Sequence, residues 1–398
     1  MTKADLFKKC YDYTMADDAK AVGLYPYFRN LTTKQGPVVQ MEGREIIMLG
    51  SNNYLGITSH PDAIKAAREA VDKYGTGVSG SRFLNGTLDL HLTLEAELAR
   101  FLEKEEALTF STGFQANLAI ISALVGRHDY VLCDRENHAS IYDACRLSWG
   151  KMVRYNHNDM KDLEAKIKEI PETAGKLIVV DGVFSMSGAI ADLPNIVKIA
   201  KKYGARVMVD DAHGFGTLGK TGKGTADHFG LTKDVDIIMG TFSKTLASMG
   251  GYMVGDAKVV DFVRHSSRPF IFSAAMPASN AASALAALQI MDKEPHLVTK
   301  LNEISNYARK KLDEYGIKYM DTKTPIITIL TGTVERTFGL CNELFRLGVY
   351  VNPVIPPATT PNECLIRTSY MAVHTKELID KAIKTIHEVM SAFPDSCG

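Results

Sequence analysis

The chain has 398 residues, 45% of them apolar, which is enough for one large domain with a smaller one beside it. Its 46 basic and 46 acidic residues cancel, so neither a nucleic-acid surface nor a polybasic membrane anchor is expected. The six cysteines lie far apart, with no CxxC pair and no zinc spacing, and read as reduced thiols of a cytoplasmic protein with no metal site. Residues 1–9 lack the apolar run of a signal peptide.

Up to about Gly43 the sequence is mixed and polar, an N-terminal helix followed by an arm. Glu45–Gly50 is an apolar strand, and Ser51–Gly56 is a loop dense in amides and hydroxyls. His60-Pro61 opens a helix to about Tyr74. Gly75-Thr-Gly-Val-Ser-Gly80 has the letters of a dinucleotide-binding loop but follows a helix, not a strand; it reads instead as a backbone-exposing loop near a ligand. A helical pattern resumes at Thr87. Glu106–Phe110 is then a strand, and Ser111-Thr-Gly113 leads into a helix to about Leu124. Such a helix start is an anion site, because its first N–H groups have no intrahelical acceptor.

Asp129–Cys133 is the next strand, followed by a helix that begins near His138. That histidine is either a polar cap or a lid over a flat ligand. Lys176–Asp181 repeats the strand pattern, and the loop after it carries Ser185. The β-branched run Ala205–Val209 ends in Asp210, with His213 three residues beyond; Val235–Met239 is followed by Thr241, Ser243 and Lys244. Strands alternating with helices define an α/β fold with a doubly wound, mostly parallel sheet. Pro269–Met291 is uncharged, but its proline, serines and alanine-rich second half make it a buried helix after a turn, not a membrane span. From about Lys293 a helix, the short strands Ile326–Leu330, Val349–Val351 and Cys364–Ser369, and a helix from Lys376 form an α+β unit. The expected division is an arm over 1–50, a large domain over 51–292 and a small domain over 293–398.

An acid, an imidazole and a lysine at strand ends stand where open α/β sheets bind ligands. These are the groups pyridoxal 5'-phosphate requires: a lysine for the Schiff base, a carboxylate for the pyridine nitrogen and a histidine beside the phenolic oxygen. The same stretch holds a rival. Gly214-Phe-Gly-Thr-Leu-Gly219-Lys220-Thr221 matches the P-loop pattern letter for letter, yet Gly222 and Gly224 follow where a phosphate-binding helix should start.

Taken together, Asn52-Asn-Tyr-Leu-Gly56, Ser111-Thr-Gly-Phe114, Asn137-His-Ala-Ser140, Asp181-Gly-Val-Phe-Ser-Met186, Val209-Asp-Asp-Ala-His213 and Gly240-Thr-Phe-Ser-Lys244 resemble the α-oxoamine synthases. These are fold type I pyridoxal phosphate enzymes that condense an amino acid with an acyl-CoA and release carbon dioxide. Arg82–Thr87, Gly240–Thr245, Arg268–Ser273 and Pro356–Thr360 resemble the serine palmitoyltransferase branch of soluble bacterial enzymes. One departure is Ile355, where that branch often has an arginine before the Pro-Pro pair.

The resemblance implies that Lys244 bonds the cofactor, Asp210 pairs with the pyridinium, and His213 and Ser185 serve the phenolic oxygen. His138 would cover the ring and touch the substrate carboxylate. Gly113, Phe114, Thr241 and Ser243 would hold the phosphate, with Ser273 reaching in from a second subunit of a homodimer. Asn52, Tyr54, Ser81 and Arg367 become substrate-binding candidates. The implied substrates are L-serine and palmitoyl-CoA, with 3-oxosphinganine as product. The alternatives are a glycine C-acetyltransferase of the same fold and, remotely, a P-loop nucleotide-binding protein. Peripheral contact with the inner face of the cell membrane fits the implied substrate.

Overall fold

The computed structural model describes residues 4–393. Instead of one N-terminal helix the chain starts with two short ones, Lys8–Tyr11 and Met15–Ala21, and then the antiparallel pair β1 (Val38–Met41) and β2 (Arg44–Met48). Seven strands follow: β3 (Glu106–Phe110), β4 (Tyr130–Asp134), β5 (Lys151–Tyr155), β6 (Lys176–Asp181), β7 (Arg206–Asp210), β8 (Ile237–Thr241) and β9 (Gly251–Gly255). They form one sheet in the order β3-β9-β8-β7-β6-β4-β5. All neighbours are parallel except β9, which runs antiparallel to both β3 and β8.

The central strands are apolar at successive positions because both faces of the sheet are covered. Along β6, Ile178 and Val180 enter one apolar cluster with Val207, Val209 and the helix Leu193–Tyr203. Leu177 and Val179 enter the other, with Met208, Met239 and the helices Gly113–Leu124 and Ala139–Leu147. Alternation of side chains along a strand sends odd and even positions to opposite faces. From β4 the chain steps outward to β5, then returns to the other side of β4 as β6. The crevice at such a reversal, beyond the carboxyl ends of the strands, is where this architecture places ligands.

The alanine-rich stretch is the helix Ala278–Lys293, with Pro277 just ahead of its first turn, and its Ala278 and Ala282 pack against Ala70 of the helix Pro61–Tyr74. Beyond it, β10 (Ile326–Gly332), β12 (Asn352–Val354) and β13 (Cys364–Ser369) make an antiparallel sheet in the order β10-β13-β12. Helices His296–Glu314, Val334–Arg346 and Lys376–Ala392 pack with it into a separate apolar cluster. The expected strand Val349–Val351 is shortened to β11 (Val349–Tyr350), which pairs in parallel with β2, and a separate strand from Asn352 joins β13. The N-terminal arm is thus built into the C-terminal unit. Among the described residues, no helix is long and apolar enough to cross a membrane.

Candidate active site

The helix Gly113–Leu124 starts at the carboxyl end of β3. Thr112 caps it, its hydroxyl accepting the Gln115 N–H at 3.0 Å. The N–H groups of Gly113 and Phe114 have no protein acceptor among the described residues, so two donors face the cavity at a helix start, where the dipole favours an anion. Glycine is required at 113: a Cβ there would lie 2.8 Å from the Cβ and Oγ1 of Thr241. Thr241, at the end of β8, donates to the Gly250 carbonyl at 3.0 Å and stands 2.9 Å from the Ser243 hydroxyl.

Next to this cradle, β7 delivers Asp210, 5% exposed. Its Oδ2 accepts from Asn117 Nδ2 at 2.7 Å and its Oδ1 from the Ala212 N–H at 3.1 Å. Both partners are donors, so both carboxyl oxygens act as acceptors. Asp181 is the neighbour of Asp210 across β6 and β7. Its carboxyl is pushed well above the usual range, first by burial and then by the Asp210 charge. The Lys244 ammonium makes no hydrogen bond among the described residues, and the residue lines the cavity. Dense protein around it pulls its ammonium down to about 8, against the opposing pull of Asp210 and Asp181.

His213 is buried, with Nδ1 2.6 Å from the Tyr54 hydroxyl. Burial, then Lys244, Arg367 and His138, hold it neutral well below its ordinary value. His138 caps a helix and also stands on the cavity wall. Its Nδ1 caps the helix Ala139–Leu147, accepting from the Ser140 N–H at 3.3 Å, and its ring stands edge-on to Phe114 with centroids 6.4 Å apart. Although the ring is exposed to the cavity, the surrounding protein lowers its pKa through desolvation, with Lys244 acting in the same direction.

Gly113, Phe114, His138, Asp210, His213, Thr241, Ser243 and Lys244 therefore line one cavity of about 300 Å³. The other candidates stand elsewhere. Ser185 is not on its wall; its carbonyl accepts from Arg367 Nε at 2.6 Å. Arg367 is buried behind the site, with further bonds to Ser369 Oγ at 2.8 Å, Asn52 Oδ1 at 3.0 Å and Tyr54 OH at 3.4 Å, so most of its donors are engaged. Asn52 and Tyr54 thus form a polar wall joining both parts of the chain. Ser81 bridges to Ala274, and Ser273 beside it lines a separate cleft with Arg82 and Thr109.

Sequence reading missed Asn117 and Ser140, which line the cavity, and gave no role to Asp181. Asp181 was detectable, since it ends an apolar strand as Asp210 does. A larger cavity, about 860 Å³, lies at the opposite ends of the strands between Lys104, Lys176, Arg206 and Asp236, and none of the candidate residues reaches it.

The P-loop reading is overturned. Residues 214–224 fold as consecutive turns, with Gly216, Gly219, Gly222 and Gly224 at positive φ, and Lys220 is exposed. The next helix, Thr225–His228, has only four residues, so no phosphate-cradling helix follows. Among the described residues no group of acids, histidines and cysteines is arranged to hold a metal. A pyridoxal phosphate does fit. Free N–H groups and hydroxyls at the helix start would meet its anionic end, and a carboxylate and a lysine stand in the same cavity.

A mostly parallel sheet with this cavity at its reversal point defines an aminotransferase-like protein. The sequence matches the family "Aminotransferase class I and II" over residues 44–386, and the chain belongs to that family. Within it, the chain is 49% identical over 389 residues to a serine palmitoyltransferase of Sphingobacterium spiritivorum, covering 98% of each protein. An 8-amino-7-oxononanoate synthase of Thermoanaerobacter pseudethanolicus is 40% identical over 374 residues, 94% of this chain and 95% of that one. The structure of a serine palmitoyltransferase from S. paucimobilis with a bound PLP–myriocin aldimine superposes with a TM-score of 0.94 at 34% identity, covering 98% of this chain and 99% of that one.

Proposed function

We propose that the protein is a pyridoxal phosphate-dependent serine C-palmitoyltransferase, condensing L-serine with palmitoyl-CoA to 3-oxosphinganine, coenzyme A and carbon dioxide. The observation that carries this reading is the convergence of Lys244, Asp210 and His138 on one cavity beside an unsatisfied helix start. Near-full-length similarity to serine palmitoyltransferases favours serine over the glycine of an acetyltransferase.

Bound pyridoxal phosphate supplies an aldehyde that captures an amine and a ring that takes up carbanion charge. The chain's residues do the rest. Gly113, Phe114, Thr241 and Ser243 bind the phosphate. Asp210 holds a proton on the ring nitrogen, and Asn117 and the Ala212 N–H fix its carboxyl in place for that purpose. His213, neutral and braced by Tyr54, serves the phenolic oxygen; Ser185 can join it only by turning its hydroxyl toward the cavity.

Lys244 is held where burial favours the neutral amine, so once free it removes the serine α-proton at its Nζ. His138 covers the ring and donates to the serine carboxylate, aligning the Cα–H bond toward Lys244. The new C–C bond forms as coenzyme A leaves as its thiol, the carboxylate departs as carbon dioxide, and a proton from Lys244 Nζ returns to the α-carbon. Arg367, behind the site, would reach the substrate's polar end only by giving up part of its bonding to Ser185, Ser369, Asn52 and Tyr54, and with Ile355 in the place of an arginine it is the cation on this side.

The working form is a homodimer. Phe83, Leu84 and Phe272 are exposed on the side that carries Ser81 and Ser273, and burial against a second copy would bring Ser273 to the partner's phosphate site. The three-part division at residues 50 and 292 is retained as a functional one, with the arm serving the small domain. The exposed Leu6, Phe7 and Tyr11 support peripheral contact with the inner membrane face from the cytoplasm, where a long-chain acyl-CoA is found. The decisive test follows coenzyme A release across a panel of amino acids and acyl-CoAs. Serine with palmitoyl-CoA should turn over fastest; preferential turnover of glycine with acetyl-CoA would replace this reading with the acetyltransferase.

A further inference from the structure

A chain of hydrogen bonds runs from Asp210 to His138 through two residues outside the catalytic trio. Asn117, buried, sends one Nδ2 hydrogen to Asp210 Oδ2 at 2.7 Å and the other to Ser140 Oγ at 2.9 Å. Ser140, also buried, lies 2.8 Å from His138 Nδ1 through Oγ and offers the same nitrogen its backbone N–H at 3.3 Å.

The direction of every bond in this chain follows from what each group can donate. A carboxylate accepts only, so the Asn117 amide must present Nδ2 to Asp210. That orientation also points the second Nδ2 hydrogen at Ser140 Oγ. With one lone pair so occupied, the Ser140 hydroxyl is free to donate its single hydrogen to His138 Nδ1. The Ser140 backbone N–H, which can only donate, points at the same atom. Nδ1 therefore faces two donors and carries no proton, and in a neutral imidazole the proton is then on Nε2. Among the described residues Nε2 has no hydrogen-bond partner, and His138 lines the cavity.

We infer that Asn117 and Ser140 are positioning residues that fix His138 in its Nε2–H tautomer, so that the ring presents a donor to the cavity while Asp210 anchors the chain from the other end. The inference rests on the proposed role of His138 toward a substrate carboxylate, and it supplies what that role requires, a donor rather than a lone pair. A carboxylate meeting an Nδ1–H tautomer would face the Nε2 lone pair and be repelled. It also gives the buried amide within the helix Gly113–Leu124 a task at both of its contacts.

The test reads the tautomer directly, in cofactor-free protein as well as holoenzyme. With 15N-labelled histidine, long-range proton–nitrogen correlation spectra report which ring nitrogen of His138 is protonated, and His138→Phe assigns the signal. The expected wild-type result is Nε2–H. Ser140→Ala deletes one of the two donors to Nδ1 and should lower the Nε2–H to Nδ1–H ratio roughly five-fold, the worth of one ordinary hydrogen bond. Ser140→Thr, which keeps the hydroxyl, should restore it. Asn117→Leu should shift the ratio the same way by less, because the hydroxyl remains but is no longer aimed. A wild-type proton on Nδ1, or a ratio unmoved by Ser140→Ala in a folded variant, overturns the inference. The underlying reading fails separately: Nε2–H in the wild type with serine affinity unchanged in His138→Phe would remove the carboxylate contact and leave the tautomer assignment standing.

Discussion

Lys244 has a measurable signature before any turnover is assayed. Its ammonium is drawn down to about 8 by burial, so in cofactor-free protein the reactive neutral amine appears as pH rises through about 8, well before an ordinary lysine titrates. Amine-directed labelling followed by peptide mapping should show half-maximal modification of Lys244 near that pH, and a profile matching exposed lysines would refute it. Lys244→Ala should keep the fold but lower turnover by roughly 10³-fold or more, whereas Lys220→Ala should leave turnover unchanged. Asp210→Asn should retain cofactor binding yet slow exchange of the serine α-proton about 100-fold or more, because an amide cannot hold the proton on the ring nitrogen. Rapid deuterium exchange in that variant would refute the role. His138→Phe keeps an aromatic lid and removes the donor; serine affinity should weaken by about 1.5–3 kcal/mol, with side reactions such as transamination appearing. At this scale the trio was legible because each member follows an apolar run that ends at a ligand-binding edge. Asn117 was not, since its partner lies 93 positions away and an amide within a helix announces nothing alone.

Helix starts and strand ends carry the next set of consequences. Thr112→Ala removes the cap that binds the Gln115 N–H and should cost about 1 kcal/mol in urea unfolding, while also loosening the cofactor phosphate. His374 lies between the two parts of the C-terminal unit, with Nδ1 accepting from the Met371 N–H at 2.9 Å and Nε2 3.2 Å from the Met48 carbonyl. Burial pulls its pKa down to about 4 from 6.5. A histidine so depressed binds its proton more readily in the unfolded chain, so its contribution is complete above pH 6.5 and is lost as pH falls toward 4. The loss is on the order of 3 kcal/mol across that window. Comparing wild type with His374→Gln by urea unfolding at pH 7.5 and pH 4.5 isolates it; a gap that does not narrow at the lower pH would refute the assignment. Buried strands such as β6 and β7 were legible as uninterrupted apolar runs. β5 was missed because it is an edge strand, half exposed and interrupted by Lys151 and Arg154, which offers no such run. Val349–Val351 has the composition of one strand, but only Val349 and Tyr350 pair, with β2, and the next strand, from Asn352, joins another sheet, a break set by tertiary partners and not by local preference.

For the whole molecule, the first expectation is assembly: sedimentation should report twice the 43.7 kDa chain mass, and Phe272→Glu on the exposed apolar side should shift it toward the single chain while leaving the fold intact. A monomeric wild type would withdraw the homodimer and the role given to Ser273. The doubly wound sheet was legible from alternation alone, but the docking of the arm was not, because pairing of β2 with β11 depends on partners at the far end of the sequence. That pairing also orders events during synthesis. Gly50 and Asn352, 302 positions apart, share a hydrogen bond, and the Ser369 N–H closes onto the Leu49 carbonyl. A ribosome adding about 5–20 residues per second leaves Ile47 and Leu49, already beside β1, without their C-terminal partners for tens of seconds after they emerge. The large sheet can close in that interval, while this outer edge of β2 stays open until the C-terminal strands arrive.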